Sequence, residues 1–485
     1  MYKYKFLVLP FIVIMISVRS FAADFLYAKA YSHVLKINVE KIFSAYNEGA
    51  SSTASGFWLG GNSRLIVTNN HVAAPRNVAQ YHGVDTSGKR FELELVYANP
   101  LIDLAYLRPK DPSVEAPGSV FEYNINAVEN MRVFMFGNNG GVGIGQQEGR
   151  ITNICNVTST DYWRKSITVN FNGKGGSSGS MVIDGEGKLV GINFSGSDVS
   201  NDIIPVEFLL EDLEALEKGQ TPAKFDIGLI LNHVPLNIAQ EYNDFPRSQD
   251  SKSYNEKFPG AKSQLLMVTS CLSGSEGEKI FEPGDIIIQV GSTEIGPDLY
   301  KYYHALNLLN PQDKARIIFV RAGEIKEVEV PLSNLNNSQC HEMIVFGKAI
   351  LAPVDQIQSR RSGLKVGSVG LFHNPSGSVF PEILNFSVNS SGETALIRIC
   401  KLGAQEINTL DDVEAVIPKL IEKKKFCFTF CHHGLRLING GKFSGTQQAQ
   451  IYYMEYNDQF HQRPVRLKFN SETKEWERKE IAGSK

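Results

Sequence analysis

Residues 166–194 read SITVNFNGKGGSSGSMVIDGEGKLVGINF. The centre, Gly173 to Ser180, holds only glycine, serine and one lysine, the composition of a flexible linker. Its flanks point elsewhere. "SITVNF" and "MVIDGEGKLVGINF" both carry the β-branched and aromatic residues of strands, so the run sits inside a β domain. A phosphate loop needs Gly, four residues, then Gly-Lys-Ser/Thr. Gly175 stands where the hydroxyl residue belongs and Thr168 where the first glycine belongs, so that pattern fails. What remains is Gly176-x-Ser178-Gly179, a serine on a tight turn. Glycines there permit positive φ, and backbone N–H groups can be aimed at an oxyanion that forms when the serine attacks a carbonyl.

Outward from this turn, residues from about Val34 to Phe194 form short strand-like runs such as "RLIVT", "RFELELVYA", "LAYLR" and "RVFMF", separated by turn chemistry. Many short strands without intervening helices indicate an all-β sandwich or a pair of barrels. The run closes in a helix, with Pro205 in its first turn, Val206, Leu209, Leu210, Leu213 and Leu216 at helical spacing, and Gly219 as the stop. A serine nucleophile needs a base, and "RLIVTNNHVAA" supplies His71 just past a strand. The base needs a carboxylate to hold its tautomer, and "NPLIDLAYLRP" places Asp103 in an apolar run where an unpaired charge is costly. Taken singly, each has a plain structural reading: a buried histidine bonded to a carbonyl, an exposed residue at a strand start. Together, the order His71, Asp103, Ser178 is that of chymotrypsin-like enzymes.

The 485 residues are too many for one hydrophobic core. A net charge of −3 provides no basic surplus for a phosphate backbone, which argues against nucleic acid as a partner. The N-terminus reads as a secretory signal: two lysines, an apolar run from Phe6 to Val18, then small residues that suit cleavage after Ala22. That run is shorter than a membrane span, and no later segment is apolar enough to cross. Six cysteines in an exported chain permit disulfides. Cys427 and Cys431, four apart in the strand-like "FCFTFC", are too distant for a mutual bond. With His432 and His433 they match no standard zinc spacing, and neither metal nor cofactor is expected.

After residue 220 the pattern is mixed. "DIGLIL" and "SQLLMVTSC" read as strands, "FEPGDIIIQV" as a turn into a strand, "PDLYKYYHALNLL" as a helix and "ARIIFVRAGEIKEVEVPL" as a hairpin. A fainter copy follows in "TALIRIC", "TLDDVEAVIPKLI" and "KFCFTF". Thirty-one residues separate Ile286 from Ile317 and Ala395 from Phe426 alike, which suggests a repeat. The tail reads as a final hairpin turning at Asn470 to Lys474.

These motifs resemble the HtrA (Deg) family of exported serine proteases. "ASGFW" at Ala54 to Trp58 is similar to that family's entry strand, "TNNHVA" to its histidine motif, "IDLAYL" to its Asp-Leu-Ala motif and "GSSGSMVIDGEGKLVGIN" to its nucleophile segment. The chain departs from the family where Gly179, Ser180 and Met181 replace Gly-Gly-Pro. "FEPGDIIIQV" resembles the core of PDZ domains. The resemblance implies a mainly β fold: a signal peptide at 1–22, a chymotrypsin-like double β-barrel at 23–220, an α+β PDZ domain at 221–335 and a divergent PDZ-like domain with a C-terminal hairpin at 336–485. It also implies an oxyanion hole from the N–H groups of Gly176 and Ser178, with Ile192 and Asn193 bordering the substrate pocket. Ile227, Gly228 and Leu229 would hold the carboxylate of a C-terminal peptide whose strand adds to the sheet edge.

The function expected is an exported, periplasmic or secreted ATP-independent serine endopeptidase acting on unfolded or damaged proteins. By resemblance it assembles as a homo-oligomer, trimeric or larger, with the aromatic "DFLYAKAY" segment as a candidate contact. A PDZ-based chaperone with a latent protease domain and a secreted effector protease with one narrow target are the rival readings.

Overall fold

Alternation along the strands closes the first part of the chain into two barrels. In Arg90–Ala98, Phe91, Leu93 and Leu95 are buried while Arg90 and Glu92 face water, the period-2 pattern of a sheet with one face in a core. In this computed structural model, six strands close the first barrel in the order Val34–Ser44, Ser51–Trp58, Ile66–Thr68, Ala105–Pro109, Arg90–Ala98, Asn77–Val84. Six more close the second: Met181–Asp184, Leu189–Gly196, Asn201–Pro205, Arg164–Val169, Gly145–Thr158, Arg132–Gly137. The structure describes residues 27–44, 51–141, 143–158, 164–246, 250–259, 262–375, 377–380, 396–432, 448–457 and 461–481. The signal-like stretch and His433 lie outside them.

The central strand Met181–Asp184 is buried on both faces. Val182 packs inside the second barrel, and Met181 and Ile183 join a core that continues into the helix Val206–Glu217 through Phe208, Leu209 and Leu213. Pro205 ends the last barrel strand and precedes the helix, one position earlier than the sequence reading placed it. A helix at 27–33 lays Tyr27 and Tyr31 against the rings of Phe134 and Phe136, so these aromatics of "DFLYAKAY" pack on the second barrel of the same chain.

The next sheet runs Leu229–Pro235, Gln264–Cys271, Ile286–Val290, Lys314–Arg321, Glu324–Pro331, with the helix Leu299–Asn307 beside it. The expected "DIGLIL" strand begins only at Leu229, because Phe225 and Asp226 pair instead with Asn334 and Ser333 and Gly228 turns the chain at φ 85°. Two short helices, Leu236–Tyr242 and Ser251–Lys257, occupy the stretch before "SQLLMVTSC".

In the last sheet, Ile397–Leu402 and Lys425–His432 flank the helix Leu410–Lys423 in sequence, repeating the strand-helix-strand order of the preceding unit. Thr409 and Asp412 form a reciprocal capping box at the start of that helix. The final hairpin turns at Asn470 to Lys474 and pairs with Glu342–Phe346. Its Trp476 Nε1 donates to Asn77 O of the first barrel at 3.0 Å. The mainly β architecture is therefore a double barrel followed by two larger sheets compatible with PDZ-like modules and one two-stranded sheet, Phe225–Asp226 with Ser333–Asn334.

Cys155, Cys340 and Cys427 are free thiols and Cys400 is disulfide-bonded. Burial pushes the Cys155 thiol up to about 11. Among the described residues no group of three or more metal-ligating side chains converges, and no helix is long and apolar enough to cross a membrane.

Candidate active site

His71 lies just beyond the strand Ile66–Thr68, in a turn closed by the N–H groups of Val72 and Ala73 on Asn69 O. Asp103 occupies the turn between Arg90–Ala98 and Ala105–Pro109. Strand pairing brings the two turns together. One carboxylate oxygen of Asp103 accepts from His71 N at 2.8 Å, and the other lies 2.6 Å from His71 Nδ1. Asn69 Nδ2 donates to Asp103 O at 2.8 Å. The carboxylate is buried while the ring is 39% exposed. An anion shielded from water and bonded to Nδ1 holds the proton there, leaving Nε2 as the basic nitrogen.

Ser178 comes from the second barrel, and Ser55 of the first pins its turn. Ser55 N donates to Ser178 O and Ser55 Oγ to Gly176 O, both at 2.8 Å, while Ser55 Oγ accepts from Asn138 N at 2.7 Å. The turn requires its glycines. Gly176 and Gly179 have φ of 97° and 85°, and a Cβ on Gly179 would stand 2.1 Å from Ser55 O. Among the described residues, neither Gly176 N nor Ser178 N donates to a protein acceptor. Two such free donors flanking a serine are what a developing oxyanion requires. No hydrogen bond joins the Ser178 hydroxyl to His71 among the described residues. Free hydrolases commonly close this contact when substrate binds.

The two residues implied as pocket borders have different surroundings. Ile192 is fully buried in the apolar core, whereas the side chain of its neighbour Asn193 reaches the nucleophile turn, donating to Ser177 O at 3.0 Å and Ser177 Oγ at 3.2 Å.

A residue the sequence reading did not single out ties the base pair to the rest of the molecule. Asn99 Oδ1 accepts from Leu101 N and Ile102 N, shaping the turn that carries Asp103, and Asn99 O accepts from Asn70 Nδ2, next to His71. Its Nδ2 donates to Asp212 Oδ2 at 2.8 Å. Asp212 also accepts from Tyr106 and Lys224, and Lys224 bonds Glu211, which accepts from Asn307 of the helix Leu299–Asn307. Burial works against the Lys224 charge, but Asp212 and Glu211 outweigh it and hold the amine protonated, above the usual lysine range.

A trypsin-like peptidase domain is the family whose model matches residues 54–192, the span that holds this geometry. Over 426 residues, 82% of the chain, it is 22% identical to Protease Do-like 7 of Arabidopsis thaliana. The matched span is that of a trypsin-like serine peptidase, and the chain is similar to Do-like serine proteases. Over 283 residues, 55% of its length, the chain is 24% identical to a probable periplasmic serine endoprotease, DegP-like, of Chlamydia pneumoniae. The solved structure of an HtrA-type protease, AlgWS227A with tripeptide, aligns with 64% of the chain and 96% of its own at 19% identity, with a TM-score of 0.48. The chain spans 37% of the length of the plant relative and 52% of the bacterial one.

The HtrA/Deg resemblance implied an open carboxylate-binding turn at Ile227, Gly228 and Leu229. In the structure this turn is buried and self-satisfied. Ile227 N donates to Asp226 Oδ1 at 2.8 Å, and Gly228 N also bonds the Asp226 carboxylate. Arg360, from the helix Gln356–Ser362, covers the same group, Nη2 to Asp226 Oδ2 at 3.0 Å. An internal carboxylate thus engages N–H groups that the resemblance assigned to a peptide terminus.

Proposed function

We propose that this chain is an exported, ATP-independent serine endopeptidase that cuts unfolded or damaged proteins. In this reading, residues 23–220 are the protease domain, 221–335 a PDZ domain and 336–485 a divergent PDZ-like domain. His71 Nε2 takes the proton of Ser178 Oγ as it attacks the peptide carbonyl, and Asp103 stabilises the imidazolium. The N–H groups of Gly176 and Ser178 receive the oxyanion. The imidazolium then protonates the leaving amine, and water releases the acyl-enzyme by the same route. The single observation that carries this reading is the buried Asp103 carboxylate bonded to both His71 N and Nδ1, with two unengaged N–H groups beside Ser178.

Export rests on the N-terminal pattern, and assembly as a homo-oligomer on the family resemblance. C-terminal peptide capture at Ile227–Leu229 requires that Asp226 and Arg360 be displaced first. The test is intact mass after fluorophosphonate treatment, with Ser178→Ala alongside, together with casein cleavage. A single adduct on the wild type alone, and cleavage lost in Ser178→Ala, are expected. No adduct with or without an unfolded protein as activator would overturn the reading in favour of a PDZ-based chaperone or scaffold.

A further inference from the structure

A hydrogen-bond chain that starts beside the nucleophile ends on a buried amide with one atom unused. Asn201 opens the last strand of the second barrel, is 1% exposed and stands opposite Gly196. Its neighbours fix its orientation. Ser177 O can only accept, so the Asn193 atom 3.0 Å away is Nδ2. Asn193 Oδ1 is then an acceptor, so the Asn201 atom bonded to it at 2.7 Å is Nδ2. Asn201 Oδ1 is left without a donor among the described residues. A buried carbonyl oxygen that has given up water without gaining a donor is costly and calls for an explanation.

The amide fills a slot between two glycines. A Cβ built on Gly173 would stand 2.5 Å from Oδ1 and Nδ2 of Asn201, and one on Gly196 would stand 2.5 Å from Oδ1. The walls that carry them are joined by Gly173 N donating to Ser197 O at 3.1 Å. One wall leads directly into the Ser178 turn, and the other continues the strand of Asn193. Oδ1 is shielded from bulk water, so a donor reaches it only when a group entering between these walls shifts the amide.

Resting on the serine-protease reading of Ser178, we propose that Asn201 is the floor of the pocket for the substrate residue on the acyl side of the cut bond. It selects short side chains carrying a hydroxyl, threonine and serine. The amide shortens the slot, which disfavours long side chains. A hydroxyl supplies the missing donor, and an aliphatic group of the same shape leaves Oδ1 unpaired. Threonine and valine differ in just this respect, and a site built to bond a hydroxyl rejects the analogue that lacks it.

The experiment measures kcat/KM on peptides matched except for threonine, serine, valine or leucine at the acyl-side position, for wild type and Asn201→Ala, with fluorophosphonate labelling of the same samples. Threonine is expected to exceed valine by roughly 10–100-fold in the wild type. The preference should fall to within about threefold in Asn201→Ala, with valine gaining. The wild-type comparison stands even if the variant fails to fold. Labelled protein that cuts valine peptides as well as threonine peptides, or Asn201→Ala that keeps the preference, overturns this assignment alone. Absence of labelling overturns the protease reading and this assignment with it.

Discussion

Ser55 N, on a strand of the first barrel, donates to Ser178 O in the second at 2.8 Å, and Ser55 Oγ bridges Gly176 O and Asn138 N. Ser55, fully buried, therefore ties the turn that carries Ser178 to the barrel that carries His71. Ser55→Ala keeps the backbone bond and leaves Gly176 O and Asn138 N without a side-chain partner. It is expected to cost about 1–3 kcal/mol of stability and to slow fluorophosphonate labelling by roughly tenfold or more, because the free N–H groups lose their aim. Denaturant melts and labelling rates check both. Labelling at the wild-type rate would show that Ser55 does not position the turn.

Lys224 lies between Asp212 and Glu211, both well shielded from water. Lys224→Met strands two carboxylates and is expected to destabilise the fold by on the order of 3–5 kcal/mol. Since Asp212 holds Asn99, and Asn99 shapes the Asp103 turn, kcat should fall more than KM rises. Lys224→Arg should restore much of both. A variant destabilised to this extent but with unchanged kcat would make Lys224 a structural residue only.

Arg360 and Asp226 occlude the turn that resembles a carboxylate-binding site. Replacing one partner alone leaves a buried unpaired charge. The double variant Asp226→Ala, Arg360→Leu removes both charges and frees the N–H groups of Ile227 and Gly228. It is expected to bind an apolar C-terminal peptide at least tenfold more tightly than the wild type, and to lose that gain when the peptide terminus is amidated. Equal affinities in a fluorescence-anisotropy titration would show that the turn is no carboxylate site.

Burial holds both His233 and His341 below the usual histidine value. Near neutral pH the unfolded chain then binds more protons than the folded one, so stability rises with pH across this range. The contribution is complete above the unfolded value near 6.5 and is lost as the pH falls below it and through the depressed folded values. His233 Nε2 lies 2.9 Å from Pro297 O, a contact glutamine can keep. His233→Gln should therefore flatten the decline in melting temperature between pH 7.5 and 5. An unchanged slope would assign the decline to other groups.

The all-β character of the first part was legible in the chain because period-2 alternation and turn residues are local signals, and Phe91, Leu93 and Leu95 point inward as their spacing demands; the choice of two barrels over a sandwich came from the resemblance. His71, Asp103 and Ser178 could be named for the same reason, each from a short context of its own. The helix Leu410–Lys423 was legible as the run TLDDVEAVIPKLI, and the structure adds a capping box at its start. What local pattern cannot carry is which polar groups are already taken. Asn99 and Asp212 stand 113 residues apart, and Arg360 meets Asp226 across 134. Only the folded chain decides that the N–H of Ile227 is occupied and that, among the described residues, those of Gly176 and Ser178 meet no acceptor and Asn201 Oδ1 meets no donor. The reason is physical: apolar periodicity sets which face of an element is buried, whereas hydrogen-bond satisfaction depends on distances of about 3 Å between elements, which exist only once the elements have packed.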